Sequence, residues 1–262
     1  MNNSLATRTA LVTGGSLGLG RAMAREFHAN GASVAILARR LQPLKQARAE
    51  IEEEGNGHSR VRDYVCDVTD PVAIQKTVEL VNKDLGEVDI LVNNAGKSEA
   101  HAFMNVTDKV WQADLDLKLF AAIRLARLVF PGMCERNWGR IINILNIAAK
   151  TPGPRSTPTS VSRAAGMALT KVLAGEGAPH NVLVNALLIG RIESDQSRRA
   201  YDSSARSESY EEYLAQAGKS LPMGRMGEAR ECADVAMFLV SERASYLTGC
   251  AINMDGGLSQ VV

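Results

Sequence analysis

The chain is poor in the residues that staple or metallate a fold. Its 262 residues include only four cysteines and four histidines. Cys66, Cys134, Cys232 and Cys250 stand far apart with no Cys-x-x-Cys pair, which argues against a zinc knuckle or a dithiol redox couple. Three of them fall in or beside apolar segments, where a thiol serves as a small buried hydrophobe. His28, His58, His101 and His180 show no metal-ligand spacing, so no metal is expected. An excess of one charge is missing too: 30 Lys and Arg stand against 29 Asp and Glu. That balance supplies no field for nucleic acid or an anionic membrane, and the expected partner is a small molecule. No apolar run approaches a membrane span. The opening MNNSLATRTALVTGG lacks the basic segment and apolar stretch of a secretory signal, so the expectation is a cytoplasmic protein with no membrane or nucleic-acid partner.

What the chain does have is a rhythm. Short β-branched runs alternate with longer helical patterns from end to end, the sequence form of a parallel sheet wrapped by helices. Strands are expected at Thr9–Thr13, Ser33–Ala38, Val61–Cys66, Ile90–Asn93, Arg140–Leu145, Val182–Leu188 and Cys250–Met254. Helices are expected at Gly20–Asn30, Leu41–Glu54, Pro71–Leu85, Thr107–Glu135, Ser160–Gly177 and Glu228–Ser241. Right-handed crossovers then imply an α/β, Rossmann-type fold: a doubly wound parallel seven-stranded sheet with helices on both faces. Chain length is near the upper limit for one core, so residues 1–262 read as a single domain. The polar segment Arg191–Gly218 is too long for a passive connection. It reads either as a substrate lid or as a solvated pair of helices.

Directly after the first strand comes Gly14-Gly15-Ser16-Leu17-Gly18-Leu19-Gly20, opening a helix. Glycines here let the backbone turn sharply and approach a pyrophosphate, whose charge is met by free amides at the helix start. A carboxylate at the end of the second strand would hold the ribose hydroxyls of NAD, but Arg39 and Arg40 stand there. A basic pair suits the extra phosphate of NADP, so NADP(H) is favoured over NAD(H). Asp67 and Val68 follow the third strand, where an acid could accept from the adenine amino group, and Asn93-Asn94-Ala95-Gly96 ends the fourth.

Through TGGSLGLG, CDVTD, NNAG, VNALLIGRIESDQ and YLTGCAINMDGG, the chain resembles the short-chain dehydrogenase/reductase family over nearly its full length. The resemblance implies that Asn93, Asn94, Ala95 and Gly96 steady the sheet and line the cofactor cleft. It also implies that Gly190, Ile192 and Ser194 follow the cofactor's nicotinamide end, with Ile189 in place of the usual proline and Ser194 in place of a threonine. Family members move a hydride between nicotinamide and a carbonyl or alcohol carbon, with a Tyr exchanging the proton, a Lys four residues on, a Ser and an Asn. The corresponding positions here are Thr159 for Tyr, Arg163 for Lys, Asn146 for Ser and Asp116 for Asn. All four differ.

Arg163 can bind ribose hydroxyls and steady negative charge, but a guanidinium does not relay protons near neutral pH. Asn146 can donate an amide hydrogen bond to a substrate oxygen. Thr159 is a far weaker acid than a phenol, and Ser160 is its nearest hydroxyl neighbour. The lid tyrosines Tyr201, Tyr210 and Tyr213 could supply a proton on closure, or could simply pack. Lys97, His101, Lys150, Arg155 and Arg191 lie where the family frames its substrate, and their basic excess points to an acidic or phosphorylated one. The expected function is an NADP(H)-dependent oxidoreductase of atypical mechanism acting on a carbonyl or alcohol small molecule. The alternatives are a non-catalytic dinucleotide-binding subunit or sensor, and a non-redox lyase-like enzyme. Relatives are commonly tetramers, so a homo-oligomer, tetramer or dimer, is expected.

Overall fold

The computed structural model of the chain describes residues 5–53, 59–204 and 208–262. Strands β1 (Thr9–Thr13), β2 (Ser33–Ala38), β3 (Val61–Val65) and β4 (Ile90–Asn93) form one half of a parallel sheet. Their side chains alternate between two cores. Ala10, Val12, Val34, Ile36, Ile90 and Val92 enter one, while Leu11, Ala35, Leu37 and Leu91 enter the other. Burial on both faces is why β1, β2 and β4 read as nearly unbroken apolar runs, whereas the edge strand β3, VRDYV, is only partly buried.

Helix α1 (Gly18–Ala29) covers the first face through Met23, Ala24 and Phe27. Helix α2 (Leu41–Glu53) joins the same core through Leu44, Ala47 and Ile51. Helix α3 (Pro71–Leu85) covers the second through Ile74, Val78, Val81 and Leu85. Its start is local chemistry: Asp70 accepts from the amides of Val72 and Ala73, and Pro71 occupies the first turn, where its missing N–H costs nothing.

After β4 a two-residue strand β5 (Ala100–His101) precedes helix α4 (Asp108–Leu115) and helix α5 (Ala121–Glu135). The expected single helix Thr107–Glu135 is instead interrupted by a π-turn at Asp116–Phe120, which carries no Gly or Pro to announce it. Strand β6 (Gly139–Asn146) leads to the two-residue β7 (Thr157–Pro158), helix α6 (Thr159–Gly177) and strand β8 (Val182–Ile189). The segment after β8 holds two short helices, α7 (Asp195–Asp202) and α8 (Tyr210–Gly218). Helix α9 (Ala229–Val240), packed beside α1 in the first core, and strand β9 (Ala251–Met254) complete the described chain.

The sheet order is β3-β2-β1-β4-β6-β8-β9, so its seven strands are the seven expected from the sequence. Direction of winding reverses between β1 and β4, which opens a crevice at their carboxyl ends. The pair β5–β7 forms a separate antiparallel ladder, Ala100 against Pro158 and His101 against Thr157, which periodicity could not show in runs of two residues. No described helix is long and apolar enough to cross a membrane.

Candidate active site

The crevice is a cleft of about 730 Å³. At one end the Gly-rich turn is stitched to the end of β4. Thr13 Oγ1 accepts from the amides of Asn94 and Ala95, both at 2.9 Å, and Asn94 Nδ2 donates to the Thr13 carbonyl at 2.8 Å. Gly14 adopts φ +64°, a conformation disfavoured for side-chain-bearing residues. Gly20 lies beneath the turn rather than on the cleft: a Cβ there would sit 2.4 Å from the Gly14 carbonyl oxygen. Leu17 caps α1 without a side-chain hydrogen bond, leaving the first amides of the helix for an anion.

Gly14, Ser16, Leu17, Gly18 and Leu19 line the cleft, with Arg39, Arg40, Val68, Asn94, Ala95 and Gly96. Asp67 is not brought in. Its Oδ1 accepts from the amide and hydroxyl of Thr69, at 2.9 and 2.8 Å, and closes the turn toward α3. Asn93 acts behind the cleft: it donates to Asn143 Oδ1, and Asn143 donates to Thr170 on α6. This chain of amides ties the central strands to the helix that carries the reacting end.

At that end Asn146, Thr159 and Arg163 all line the cleft. Thr159 and Arg163 are one turn apart and share a face of α6, while Ser160 points elsewhere and accepts from Ser156 Oγ at 2.9 Å. Arg163 Nη1 donates to the Ile144 carbonyl at 2.8 Å, and burial lowers its pKa to about 10. Asn146 Oδ1 and Arg163 Nε are buried without a hydrogen-bond partner among the described residues. Thr159 Oγ1 accepts from the Glu99 amide at 2.9 Å and can donate to the Glu99 carbonyl at 2.9 Å. The β5–β7 ladder brings these groups together.

Asp116 is not brought to the cleft. It faces Arg124 at 3.1 Å and Gln112 at 2.9 Å, because the π-turn presents Lys118 inward instead. Lys118 donates to Thr159 Oγ1 at 2.7 Å and pairs with Asp114, whose Oδ2 accepts from Ser162 Oγ at 2.6 Å. Burial lowers the Lys118 pKa to about 8, the Asp114 hydrogen bond opposes that shift, and the charge of Arg163 adds to it. The motif reading passed over Asp114, Lys118 and Ser162. The signal available was a charged pair at i,i+4 in register with the apolar stripe Ala121, Leu125 and Val129.

Gly190, Arg191, Ile192 and Ser194 line the far wall, and Ser194 also caps α7 by accepting from the Ser197 amide. Lys97 lines the cleft and pairs with Glu99, which also meets His101 at 3.0 Å. Lys150 lies elsewhere, donating to the Ala251 carbonyl and Asn253 at 2.8 and 3.0 Å. Arg155 is exposed outside the cleft with φ +61°. Tyr201, Tyr210 and Tyr213 pack on one another, with ring centroids 5.2 to 6.1 Å apart, and no tyrosine is among the residues that line the cleft. Among the described residues the charged lining is cationic: Arg39, Arg40, Lys97, Arg163, Arg191 and Arg199.

A Gly-rich turn feeding a helix, at the switch point of a doubly wound parallel sheet, defines a Rossmann-type dinucleotide-binding protein. The chain belongs to the short-chain dehydrogenase/reductase family. Residues 14–259 match the family model described as enoyl-(acyl carrier protein) reductase. Dehydrogenase/reductase SDR family member 4 of Homo sapiens is 36% identical over 254 residues, covering 97% of this chain and 88% of that one. The Escherichia coli (strain K12) 3-oxoacyl-(acyl-carrier-protein) reductase FabG is 32% identical over 262 residues, covering 97% and 98%. Among solved structures, L-sorbose reductase from Gluconobacter frateurii complexed with NADPH and L-sorbose aligns with TM-score 0.93 at 32% identity, covering 100% of both chains. An NADPH-bound short chain oxidoreductase from Pseudomonas aeruginosa PAO1, described as containing an atypical catalytic center, aligns with TM-score 0.90 at 35% identity, covering 99% of each. By family, the chain is a dinucleotide-dependent oxidoreductase.

Proposed function

We propose that the protein is an NADP(H)-dependent oxidoreductase that interconverts a carbonyl and an alcohol on a small molecule, at a site built from Asn146, Thr159 and Arg163. The observation that carries this reading is one continuous cleft running from Arg39 and Arg40, past the Gly-rich turn, to those three residues. The residues present fit the cofactor. A turn with no room for a Cβ at Gly14 or Gly20, uncapped helix amides and two arginines match a pyrophosphate and a ribose phosphate, and the unpartnered Asn146 Oδ1 and Arg163 Nε leave polar capacity at the other end. When bound, the nicotinamide supplies or accepts the hydride.

The chain's own residues do the rest. Arg163, still a cation at pKa about 10, holds a ribose hydroxyl and steadies charge that develops on the substrate oxygen. Asn146 donates an amide hydrogen bond to that oxygen. Ser194 and Ile192 flank the nicotinamide end, and the α7–α8 segment closes over the substrate. The cationic lining of the cleft supports an acidic or phosphorylated substrate as well as the charged cofactor. Orientation of the reacting carbons supplies much of the rate in such a transfer.

The test is a fluorescence titration with NADPH followed by a broad panel of aldehydes, ketones and keto acids. Tight binding with oxidation of NADPH by at least one compound is expected. Tight binding with no turnover across the panel would favour a non-catalytic dinucleotide-binding subunit, a reading supported by the full engagement of the Thr159 hydroxyl with Glu99 and Lys118.

A further inference from the structure

Asn146 and Arg163, which touch the cleft, can hold a substrate oxygen but leave its proton unsupplied. An amide such as Asn146 donates a hydrogen bond and keeps its proton, and Arg163 stays charged at neutral pH. One titratable amine lies a single hydrogen bond behind the cleft wall. Lys118 has a side chain with no exposure, and its Nζ stands 2.7 Å from Thr159 Oγ1. Thr159 itself lines the cleft beside Asn146 and Arg163.

We propose that Lys118 is the proton reservoir of the reaction and that the Thr159 hydroxyl passes its proton to the substrate oxygen, so that a lysine from the π-turn and a threonine from α6 replace a phenol. This inference rests on the oxidoreductase reading above. In the direction of reduction, the carbonyl carbon accepts the hydride of the reduced nicotinamide and the C=O π pair moves onto oxygen. That oxygen takes the proton of Thr159 Oγ1. The electron pair left on Oγ1 takes a proton from Lys118 Nζ, and the neutral amine stays hydrogen-bonded to Asp114 until water reprotonates it. Oxidation of an alcohol runs the same path in reverse.

The geometry fits each transfer. Lys118 and the Glu99 amide can only donate to Thr159 Oγ1, so the hydroxyl proton is left to the Glu99 carbonyl at 2.9 Å. A developing alkoxide competes well for that proton, because hydrogen bonds to an ionised acceptor are roughly twice as strong as neutral ones. The surroundings also make Lys118 able to release a proton. Asp114 on its own helical segment, held by Ser162 of α6, keeps the amine aimed at Thr159. Arg163 of α6 repels its charge, and Glu99, from the segment after β4, attracts it weakly. With a pKa of about 8, Lys118 is charged at neutral pH and gives up its proton readily.

Three measurements on the full-length protein with NADPH and a carbonyl compound that it reduces decide the matter. Reduction by the wild type is expected to lose kcat as pH rises through about 8, because the protonated amine is then depleted. Lys118→Arg keeps the cation and the Asp114 pair but cannot release a proton; its kcat is expected to fall about a hundredfold or more, with NADPH affinity by fluorescence changed less than twofold and the alkaline limb gone. Asp114→Asn, which removes the group that holds the Lys118 pKa up, is expected to move that limb to lower pH, and it serves if Lys118→Arg does not fold. A 13Cε-lysine NMR titration of the apo protein reads the amine independently of turnover and should show it titrating near 8. A Lys118→Arg enzyme with unchanged kcat and pH profile, or an amine still protonated beyond about pH 10, overturns the relay while leaving the oxidoreductase reading intact. A wild type that binds NADPH and turns over no compound overturns both.

Discussion

A Cβ on Gly96 would lie 2.6 Å from Arg163 Nη2, so the absence of a side chain after Ala95 fixes where the guanidinium rests. Gly96→Ala is therefore expected to push Arg163 off the cofactor position and weaken NADPH binding about tenfold. Fluorescence titration checks this, and an unchanged dissociation constant would show that Arg163 is not a cofactor contact. At the other end, Arg39 and Arg40 are exposed side chains, and no carboxylate is among the described residues that line the cleft with them. Hydrogen bonds to charged groups are worth about 1.5–3 kcal/mol, and about 1.4 kcal/mol is tenfold in affinity. Replacing both, as Arg39→Asp with Arg40→Ser, should lower the preference for NADP over NAD by about two orders of magnitude in KM, while leaving kcat with NAD nearly unchanged.

Among elements, the β5–β7 ladder and the π-turn do what no single residue could. The ladder lays Glu99 beside the first residue of α6, and the π-turn swings Lys118 to the same hydroxyl. Thr159 is thus a junction of three segments with only 5% exposure. Thr159→Tyr restores the phenol that the family resemblance expects at this position. It also removes the acceptor used by the Glu99 amide and by Lys118. Leaving a buried donor unsatisfied costs about 1–3 kcal/mol, so urea denaturation should show the variant less stable by that amount, with no gain in carbonyl reduction. Recovery of brisk turnover in Thr159→Tyr would instead mark the segment TPTSVSRAAG as a decayed motif.

Across the whole molecule, α6 has two faces. Ser162, Gly166, Thr170 and Ala174 are buried, whereas Val161 and Val172, eleven positions apart and so nearly in line on a helix, stay exposed at 47% and 56%. Leu128 of α5 is exposed at 40%. A dimer or tetramer built on these two helices would cover that surface. Light scattering on the purified protein is expected to give two or four times the chain mass, and Val172→Glu should reduce it. A monomeric wild type at micromolar concentration would remove this assembly from consideration.

The seven strands, the Gly-rich turn and the NNAG segment were legible because their signals are local. Central strands buried on both faces read as largely apolar runs, and a turn that leaves no space for a Cβ must be glycine. Helix α3 declared its start through Asp70 and Pro71 for the same reason. The basic pair after β2 lines the cleft at the strand end where its sequence position put it. The inner shell of the site was different. Asp114 and Lys118 look in sequence like an ordinary charged pair on an exposed helical face, and Asp116 looked better placed by motif. Which of them turns inward depends on the rotation of the helix, and that is set by the π-turn and by packing against Thr159, 41 residues away. A sequence fixes spacing along a helix but not the helix's rotation about its own axis. Only the packed structure decides that, and with it which cation reaches the Thr159 hydroxyl behind the cleft wall.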